Sequence, residues 1–214
     1  MKKKIYTTCN KCKSYGLKFR SNQNIKPIDA IAGNADADIW IIRLNPKNKI
    51  GQIEERSLED INSLDPNSHP YFRDFNKVSE KLYKNWEKED SNIAHVDIVK
   101  CFLDFFPPKS SSDLITPQRQ ITNNCGEYLK DQLLTHKPKI IICNGTQVSW
   151  EMMRYFPPKD HLDFDTLTSY QSRIFDYKPW IVLSGFISRV DNRNRRRLGM
   201  EIEQIIEKEN VKID

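Results

Sequence analysis

Four of the five cysteines in this chain stand where they could hold a metal centre together. Cys9 and Cys12 form a C-x2-C pair near the start of the sequence, and Cys101 and Cys125 follow far downstream. Cysteine thiolates are the usual ligands of structural zinc and of iron-sulfur clusters. We therefore expect these four residues to bind a metal or an iron-sulfur cluster that pins the N-terminal segment onto the body of the protein.

Two other interpretations of the cysteines compete with a metal centre. The first is a pair of disulfides, but disulfides are rare in the cytoplasm. The opening Met-Lys-Lys-Lys is followed by polar residues rather than by the apolar core of a signal peptide, so we expect a cytoplasmic protein. The second is a set of unrelated buried thiols, which suits Cys143 because it lies in the apolar run 139–144.

The charge of the chain is moderately basic, with 34 Lys and Arg against 29 Asp and Glu and a formal net charge of +5. Its distribution is more informative, since the run 192–197 holds four arginines and Arg189 precedes it. Such a cluster is typical of a surface that binds nucleic acid, and a solvated helix face explains it equally well. No apolar stretch approaches the roughly 20 residues that cross a bilayer, so we expect no membrane partner.

Short runs rich in Ile and Val alternate with longer stretches of helical spacing. The runs are typical of strands buried between two layers, and their alternation with helices predicts a mostly parallel sheet. We therefore predict an α/β fold, a three-layer αβα sandwich around a central, mostly parallel four-stranded sheet. We expect one domain over residues 1–214, with 1–30 as an N-terminal segment pinned by the metal centre. The predicted strands are 37–43, 93–99, 138–143 and 179–184.

The carboxyl ends of these strands are where chemistry is expected, because ligands of parallel sheets bind beyond that edge. Each predicted strand has polar or turn-forming residues at its carboxyl end. They are Asn45-Pro46, Asp97, Asn144-Gly145 and Ser184-Gly185.

Several motifs follow one another in a recognisable order. They are Ala-Asp-Ile-Trp-Ile-Ile-Arg-Leu-Asn-Pro at 37–46, His-Pro-Tyr-Phe at 69–72, Val-Asp-Ile-Val-Lys-Cys at 96–101, Cys125 with Tyr128-Leu129, and Lys-Pro-Lys-Ile-Ile-Ile-Cys-Asn-Gly at 137–145. Their order resembles the uracil-DNA glycosylase superfamily over nearly the whole chain, and most closely its branch with a four-cysteine [4Fe-4S] cluster. The resemblance implies a structural cluster on Cys9, Cys12, Cys101 and Cys125, with zinc as the alternative occupant.

The first motif departs from that branch. It reads Arg43-Leu-Asn-Pro-Lys47, which is more similar to the Gly-x-Asn-Pro-Gly of mismatch-specific and single-strand-selective members, with both glycines replaced. The resemblance assigns Asn45 to holding the attacking water. An amide does this by orientation, because it is not a base at neutral pH. The competing interpretation of Asn45-Pro46 is a turn after a strand.

The second motif is similar to the segment on which members of the superfamily stack the extruded base. The resemblance assigns this stacking to Tyr71 and its neighbour Phe72, since a flat ring accepts any base. Either residue can instead be a core aromatic.

Asp97 stands where many members carry an Asn that reads the polar edge of uracil. An ionised Asp accepts hydrogen bonds but donates none, which favours an amino-bearing base such as a cytosine derivative. A protonated Asp97 would restore a donor and keep uracil possible. The competing interpretation is a capping or salt-bridged Asp.

The last motif of the superfamily is a His-Pro-Ser or related segment on the loop that penetrates the duplex. The corresponding run here, 183–189, contains no histidine. We expect this run and the arginines after it to contact DNA through backbone donors, apolar wedges and cationic side chains. The predicted contacts are Ser184, Gly185, Phe186, Ile187, Arg189 and Arg193. For Phe186 and Ile187 the competing interpretation is a strand end with core residues.

The resemblance implies a monofunctional DNA glycosylase that flips out a base, hydrolyses its N-glycosidic bond and leaves an abasic site, since no lysine stands in a nucleophile position. DNA is the expected partner and a monomer the expected state. The target is either uracil or another deaminated base, in repair, or a hydroxymethylated or glucosylated cytosine in foreign DNA, in phage defence. The alternative is a non-enzymatic nucleic-acid-binding protein that retains the fold.

Overall fold

The computed structural model describes residues 9–19, 21, 25–46, 57–62, 66–67, 70–101, 115–158, 168–172 and 176–213. The strands are β1 (Ala32–Gly33), β2 (Ile39–Arg43), β3 (Ile93–Asp97), β4 (Ile140–Cys143), β5 (Ser169–Gln171) and β6 (Trp180–Val182). The α-helices are α1 (Leu58–Asn62), α2 (Pro70–Arg73), α3 (Glu80–Trp86), α4 (Ile115–His136), α5 (Thr146–Tyr155) and α6 (Asn192–Lys208). Short 3-10 helices lie at Lys13–Tyr15, Pro27–Asp29, Asp74–Lys77 and Ile187–Arg189.

The strands form one mixed sheet of six in the order β1-β3-β2-β4-β6-β5. The inner strands β3, β2, β4 and β6 are parallel to one another, and each lies within one of the predicted strands. This confirms the α/β class with a parallel centre. The prediction of four strands is wrong, because β1 and β5 pair antiparallel at the two edges. They are only two and three residues long, too short to leave an apolar pattern in the sequence.

The two faces of the sheet carry separate hydrophobic clusters, because successive side chains of a strand point to opposite faces. On β2, Ile39 and Ile41 belong to a cluster that includes residues of α3 and α6. Trp40 and Ile42 belong to a second cluster that includes residues of α4 and α5. We refer to these as the α3/α6 face and the α4/α5 face. Helices therefore contribute to the core on both sides of the sheet.

The strand order contains a point where the connections diverge. The chain leaves β2 toward β3 on one side and leaves β4 toward β6 on the other side. The first connection contains α3 and the second contains α5, which belong to opposite faces. A crevice at such a point, beyond the carboxyl ends of the strands, is where open α/β sheets bind ligands. Asn45 after β2 and Asn144 after β4 lie at this edge.

The N-terminal segment packs beside α4 in a third hydrophobic cluster. Phe19 and Ile25 lie there with Val99 and with Ile121 of α4. The segment is also held by Gln132 of α4, whose side-chain N–H groups donate to two of its carbonyl oxygens. No helix in the part of the chain that the structure describes is long and apolar enough to span a membrane.

Candidate functional site

The most ordered polar contact at the carboxyl edge joins the ends of β2 and β3. Arg43 and Asp97 are register partners on these parallel strands. The Arg43 Nε–H donates to Asp97 Oδ1 at 2.9 Å, and Nη2–H donates to Oδ2 at 3.2 Å. The pair is therefore a two-bonded fork, the strongest arrangement of a guanidinium and a carboxylate. Its side chains keep 20% and 13% of their surface exposed, so the fork lies at the rim of the site.

Asp97 is held in its ionised form. Burial disfavours its charge, but the nearby charge and hydrogen bonds of Arg43 outweigh burial and hold the pKa of Asp97 below its ordinary value. Lys100 fixes the backbone of the same residue, because its Nζ donates to the Asp97 carbonyl oxygen at 2.6 Å and to Gln132 Oε1 at 2.8 Å. The protonated Asp97 considered from the sequence is therefore not supported, and the salt-bridged interpretation describes its contacts.

His95 lies two residues before Asp97, on the same face of β3. It is only 5% exposed, and its ring meets the Phe72 ring edge to face with centroids 5.3 Å apart. Burial lowers the pKa of His95 to about 3, so the imidazole is neutral. Its Nε2 has no hydrogen-bond partner among the described residues.

Phe72 connects the site to the core of the α3/α6 face. It is 8% exposed and packs edge to face against Trp86, which is the position of a core aromatic. The guanidinium carbon of Arg43 lies 5.8 Å from the Phe72 ring centroid, a cation–π distance. Tyr71 lies in α2 beside it, and the described residues include neither the Tyr71 side chain nor His69.

Asn45 and Asn144 follow the adjacent strands β2 and β4 at their carboxyl ends. Asn45 is half-buried, and its Nδ2 donates to the Pro46 carbonyl oxygen at 3.1 Å. Asn144 is only 1% exposed. Its Oδ1 accepts from the Ile187 N–H at 3.0 Å, whereas its Nδ2 has no partner among the described residues. The edge thus carries two amide side chains, one of which keeps a buried donor.

The segment after β6 is fixed to the same edge. The Ser184 Oγ–H donates to the Cys143 carbonyl oxygen at 2.6 Å, and the Ser184 N–H donates to Ser149 Oγ at 3.1 Å. Phe186 is partly buried against the α3/α6 face. Ile187 is fully buried in that core, so its side chain has no surface to place between bases in this conformation. For Ile187 the core interpretation is the one that fits.

The arginines at the start of α6 divide into two kinds. Arg195 is 6% exposed, and its Nε–H donates to the Ile187 carbonyl oxygen at 2.8 Å, so it is structural. The other arginines of the run are exposed, as is Arg189 before it; they are Arg193, Arg196 and Arg197. Asp191 caps the helix by accepting from two of its first N–H groups. Any anion bound here therefore contacts the side chains of the arginines rather than the helix terminus.

The four cysteines named from the sequence lie together. Cys9, Cys12, Cys101 and Cys125 all belong to the third hydrophobic cluster, between the N-terminal segment, the end of β3 and α4. Burial, together with the charges of Cys12 and Cys9, raises the pKa of Cys125 to about 11. The pKa of Cys101 is raised for the same two reasons. These thiols would repel one another as thiolates unless a cationic centre lay among them.

The surroundings of the sulfurs suit a metal-sulfur group. The Asn124 Nδ2–H donates to Cys12 Sγ at 3.3 Å, and the Lys100 backbone N–H bonds to Cys125. The Tyr128 hydroxyl is hydrogen-bonded to the Cys9 side chain. Hydrogen bonds of this kind surround the sulfurs of iron-sulfur proteins. Within the described ranges, no group of three or more His, Cys, Asp or Glu side chains is spaced to hold a single metal ion. Cys143 is separate and fully buried in β4.

No protein-family model matches this chain, and a search of curated proteins finds no significant match.

Sequence reasoning missed four side chains that shape the site. Arg43 replaces a motif glycine, and its pairing with Asp97 depends on the register of β2 against β3. His95 was read as part of an apolar strand. Lys100 and Asn144 belong to the motifs at 96–101 and 137–145. The burial of Lys100 has no signal in the sequence, and neither does the buried Asn144 Nδ2, which has no partner among the described residues.

Proposed function

We propose that this chain is a DNA glycosylase of the uracil-DNA glycosylase type, with a three-layer αβα sandwich as its fold. The observation that carries the proposal is the meeting of the four cysteines. They come from positions spread over more than a hundred residues and pack together beside the carboxyl edge that holds Asn45 and Asp97. This combination is the one that the order of motifs predicts.

We propose that Cys9, Cys12, Cys101 and Cys125 hold a structural [4Fe-4S] cluster. Their four thiolates would leave no open coordination position. The cluster would supply cross-linking rather than redox chemistry, because hydrolysis of a glycosidic bond transfers no electrons. Held by these residues, it would tie the N-terminal segment to α4 and to the end of β3.

Hydrolysis at this edge requires a positioned water and stabilisation of two developing charges. The C1′–N bond breaks, and its electron pair leaves with the base. Asn45 holds the water whose oxygen bonds to C1′, while a proton of the water ends on the departing base or in solvent. The DNA phosphates stabilise the cationic sugar, and hydrogen-bond donors of the site stabilise the anionic base.

The remaining residues bind the extruded nucleotide and its strand. Tyr71 is the proposed stacking platform. Phe72 is a core aromatic whose ring contacts the Arg43 guanidinium. Asp97 contacts the base edge, and the target is a deaminated base in repair or a modified cytosine in phage defence. The proposed DNA contacts are Ser184, Gly185, Phe186, Arg189 and Arg193.

An abasic-site assay tests this proposal. The protein is purified under anaerobic conditions and incubated with single- and double-stranded oligonucleotides that contain uracil, hypoxanthine, hydroxymethylcytosine or glucosylated cytosine. We expect alkali-labile strands for at least one base. We expect Asn45→Ala to lower the single-turnover rate by roughly 100-fold, because the attacking water loses its orientation.

Asn76→Ala is the matched control, because Asn76 is an exposed Asn in the 3-10 helix Asp74–Lys77. It should excise at the wild-type rate. Binding of every oligonucleotide without any abasic product would instead support the non-enzymatic alternative, which the missing histidine of run 183–189 favours.

A further inference from the structure

The Arg43–Asp97 fork presents the hydrogen-bonding groups that are needed to recognise a nucleobase. Asp97 is ionised and offers only acceptors, whereas the guanidinium of Arg43 offers only donors. The two groups are bound side by side at 2.9 and 3.2 Å. An acceptor beside a donor is the pattern that a single amide side chain presents. Arg43 therefore restores the donor that Asp97 lacks.

We propose that Arg43 and Asp97 together read the extruded base, by binding a nucleobase edge on which a hydrogen-bond donor lies beside an acceptor. This inference rests on the proposed function and names the substrate chemistry of the same site. Uracil offers such an edge through N3–H and O4, and cytosine derivatives offer it in the opposite order through N3 and the 4-amino group. The fork complements one order in a given orientation of the base and the other order only when the base is reversed, so Asp97 does not by itself exclude uracil.

The surroundings of the fork favour recognition over mere cross-linking of two strands. The backbones of β2 and β3 are already paired here, since the Ile98 N–H donates to the Arg43 carbonyl oxygen at 2.8 Å. The fork nevertheless keeps part of its surface exposed at the carboxyl edge. The Phe72 ring contacts the Arg43 guanidinium, and Lys100 Nζ donates to the backbone carbonyl oxygen of Asp97. Such support from neighbouring groups pre-organises a binding site.

Arg43 and Asp97 carry opposite charges that balance each other, so removing one charge should have a different effect from removing both. Arg43→Ala leaves Asp97 as a carboxylate without its fork partner, and Asp97→Asn leaves the guanidinium without its counter-charge. Each single change should be costly, because partly buried charges that lose their partner are strongly disfavoured. The double variant carries no net charge at the fork, and the Asn introduced at position 97 presents one acceptor and one donor. The double variant should therefore recover the preference for the target base that each single variant loses.

The test is a double-mutant cycle of Arg43→Ala and Asp97→Asn in which DNA binding is measured. We measure the dissociation constant of an oligonucleotide with each target base against the same oligonucleotide with a tetrahydrofuran abasic analogue. For the wild type we expect tighter binding of one base-bearing strand. That preference should fall at least 10-fold in Arg43→Ala and in Asp97→Asn, and return to within about threefold of wild type in the double variant. The arms with uracil and with modified cytosine identify the base.

The Arg154–Glu151 ion pair of α5 is the matched control, and Glu151→Gln should leave the preference unchanged. Unfolding in urea is measured for every variant, so that folded fractions are known. The inference fails if the decreases in binding preference of the two single variants add in the double variant. It also fails if the variants change the stability of the protein while the binding preference stays at the wild-type value. Because the readout is binding, it stays informative if the wild type excises no base, and that result would count against the proposed function alone.

Discussion

His95 is a buried neutral imidazole in the middle of the site, and this makes stability depend on pH. Its pKa is about 3 in the fold because of burial, against about 6.5 in the unfolded chain. The groups that act on it are the charges of Asp97, Arg43 and Lys100, with the Phe72 ring in contact. Its contribution to stability is complete above pH 6.5, and it falls as the pH drops toward 3, because the unfolded chain binds the proton first.

We predict that titration of His95 alone lowers the free energy of unfolding of the wild type by about 2 kcal/mol when the pH falls from 7.5 to 5. One pH unit below the unfolded-state pKa corresponds to roughly 1.4 kcal/mol. His95→Met removes the titrating group and fills similar space with a flexible side chain. Urea unfolding of both proteins at the two pH values measures the difference. Equal losses in the two proteins would show that His95 is not held neutral by burial.

The contact between α6 and the turn before α3 depends on one glycine. A Cβ built on Gly199 would lie 1.8 Å from the Val78 carbonyl oxygen, so the helix backbone packs directly against that turn. Leu198 and Ile202, on either side of Gly199, are buried in the α3/α6 face. The helix that carries the exposed arginines is thereby set against the core.

Gly199→Ala is predicted to destabilise the protein, although replacing glycine by alanine in a helix normally stabilises it. Alanine in a helix interior is favoured over glycine by about 1 kcal/mol, but here the methyl group must push α6 away from Val78. We expect a net loss of about 2 kcal/mol or more in the free energy of unfolding. Met200→Ala, at an exposed position in the same helix, should stay within about 0.5 kcal/mol. Stabilisation by Gly199→Ala would contradict the close approach.

The inner strands were predictable because each combines Ile or Val runs with a helix on either side. The edge strands were not, because Ala32–Gly33 and Ser169–Gln171 are recognisable only from their partners. The packing of the four cysteines could be predicted from their order in the motifs. The Arg43–Asp97 fork could not be, because it depends on the register of β2 against β3. Burial of Ile187 likewise depends on how the Asn144 amide fixes its backbone.

Exposed cations among the described residues lie at both edges of the sheet. Arg193, Arg196 and Arg197 are exposed at the start of α6, which follows β6 at that edge. The lysines that precede β4 and β6 lie at the opposite, amino edge; they are Lys137, Lys139 and Lys178. A DNA strand bound at the carboxyl edge would contact the first group and not the second.

Charge removal at the two edges should therefore affect DNA binding differently. We expect changing the three arginines to Gln to reduce the slope of log K against log salt by about 2 to 3, since each phosphate contact contributes roughly 0.7 to 0.9. Changing the three lysines to Gln removes the same charge and should leave the slope near that of the wild type. Binding titrations over a range of NaCl concentrations provide the slopes. Equal reductions in both variants would mean that net charge, rather than this edge, attracts DNA.

The proposed reaction is hydrolysis of an N-glycosidic bond by a water that Asn45 holds. Mass spectrometry after a single turnover in 18O-labelled water tests it most directly, on the oligonucleotide panel used for the abasic-site assay. We predict a free base and an intact strand that has lost that base and gained one 18O at the sugar, with both products greatly reduced for Asn45→Ala. Strands that keep every base, or an Asn45→Ala variant that forms both products at the wild-type rate, would contradict the account.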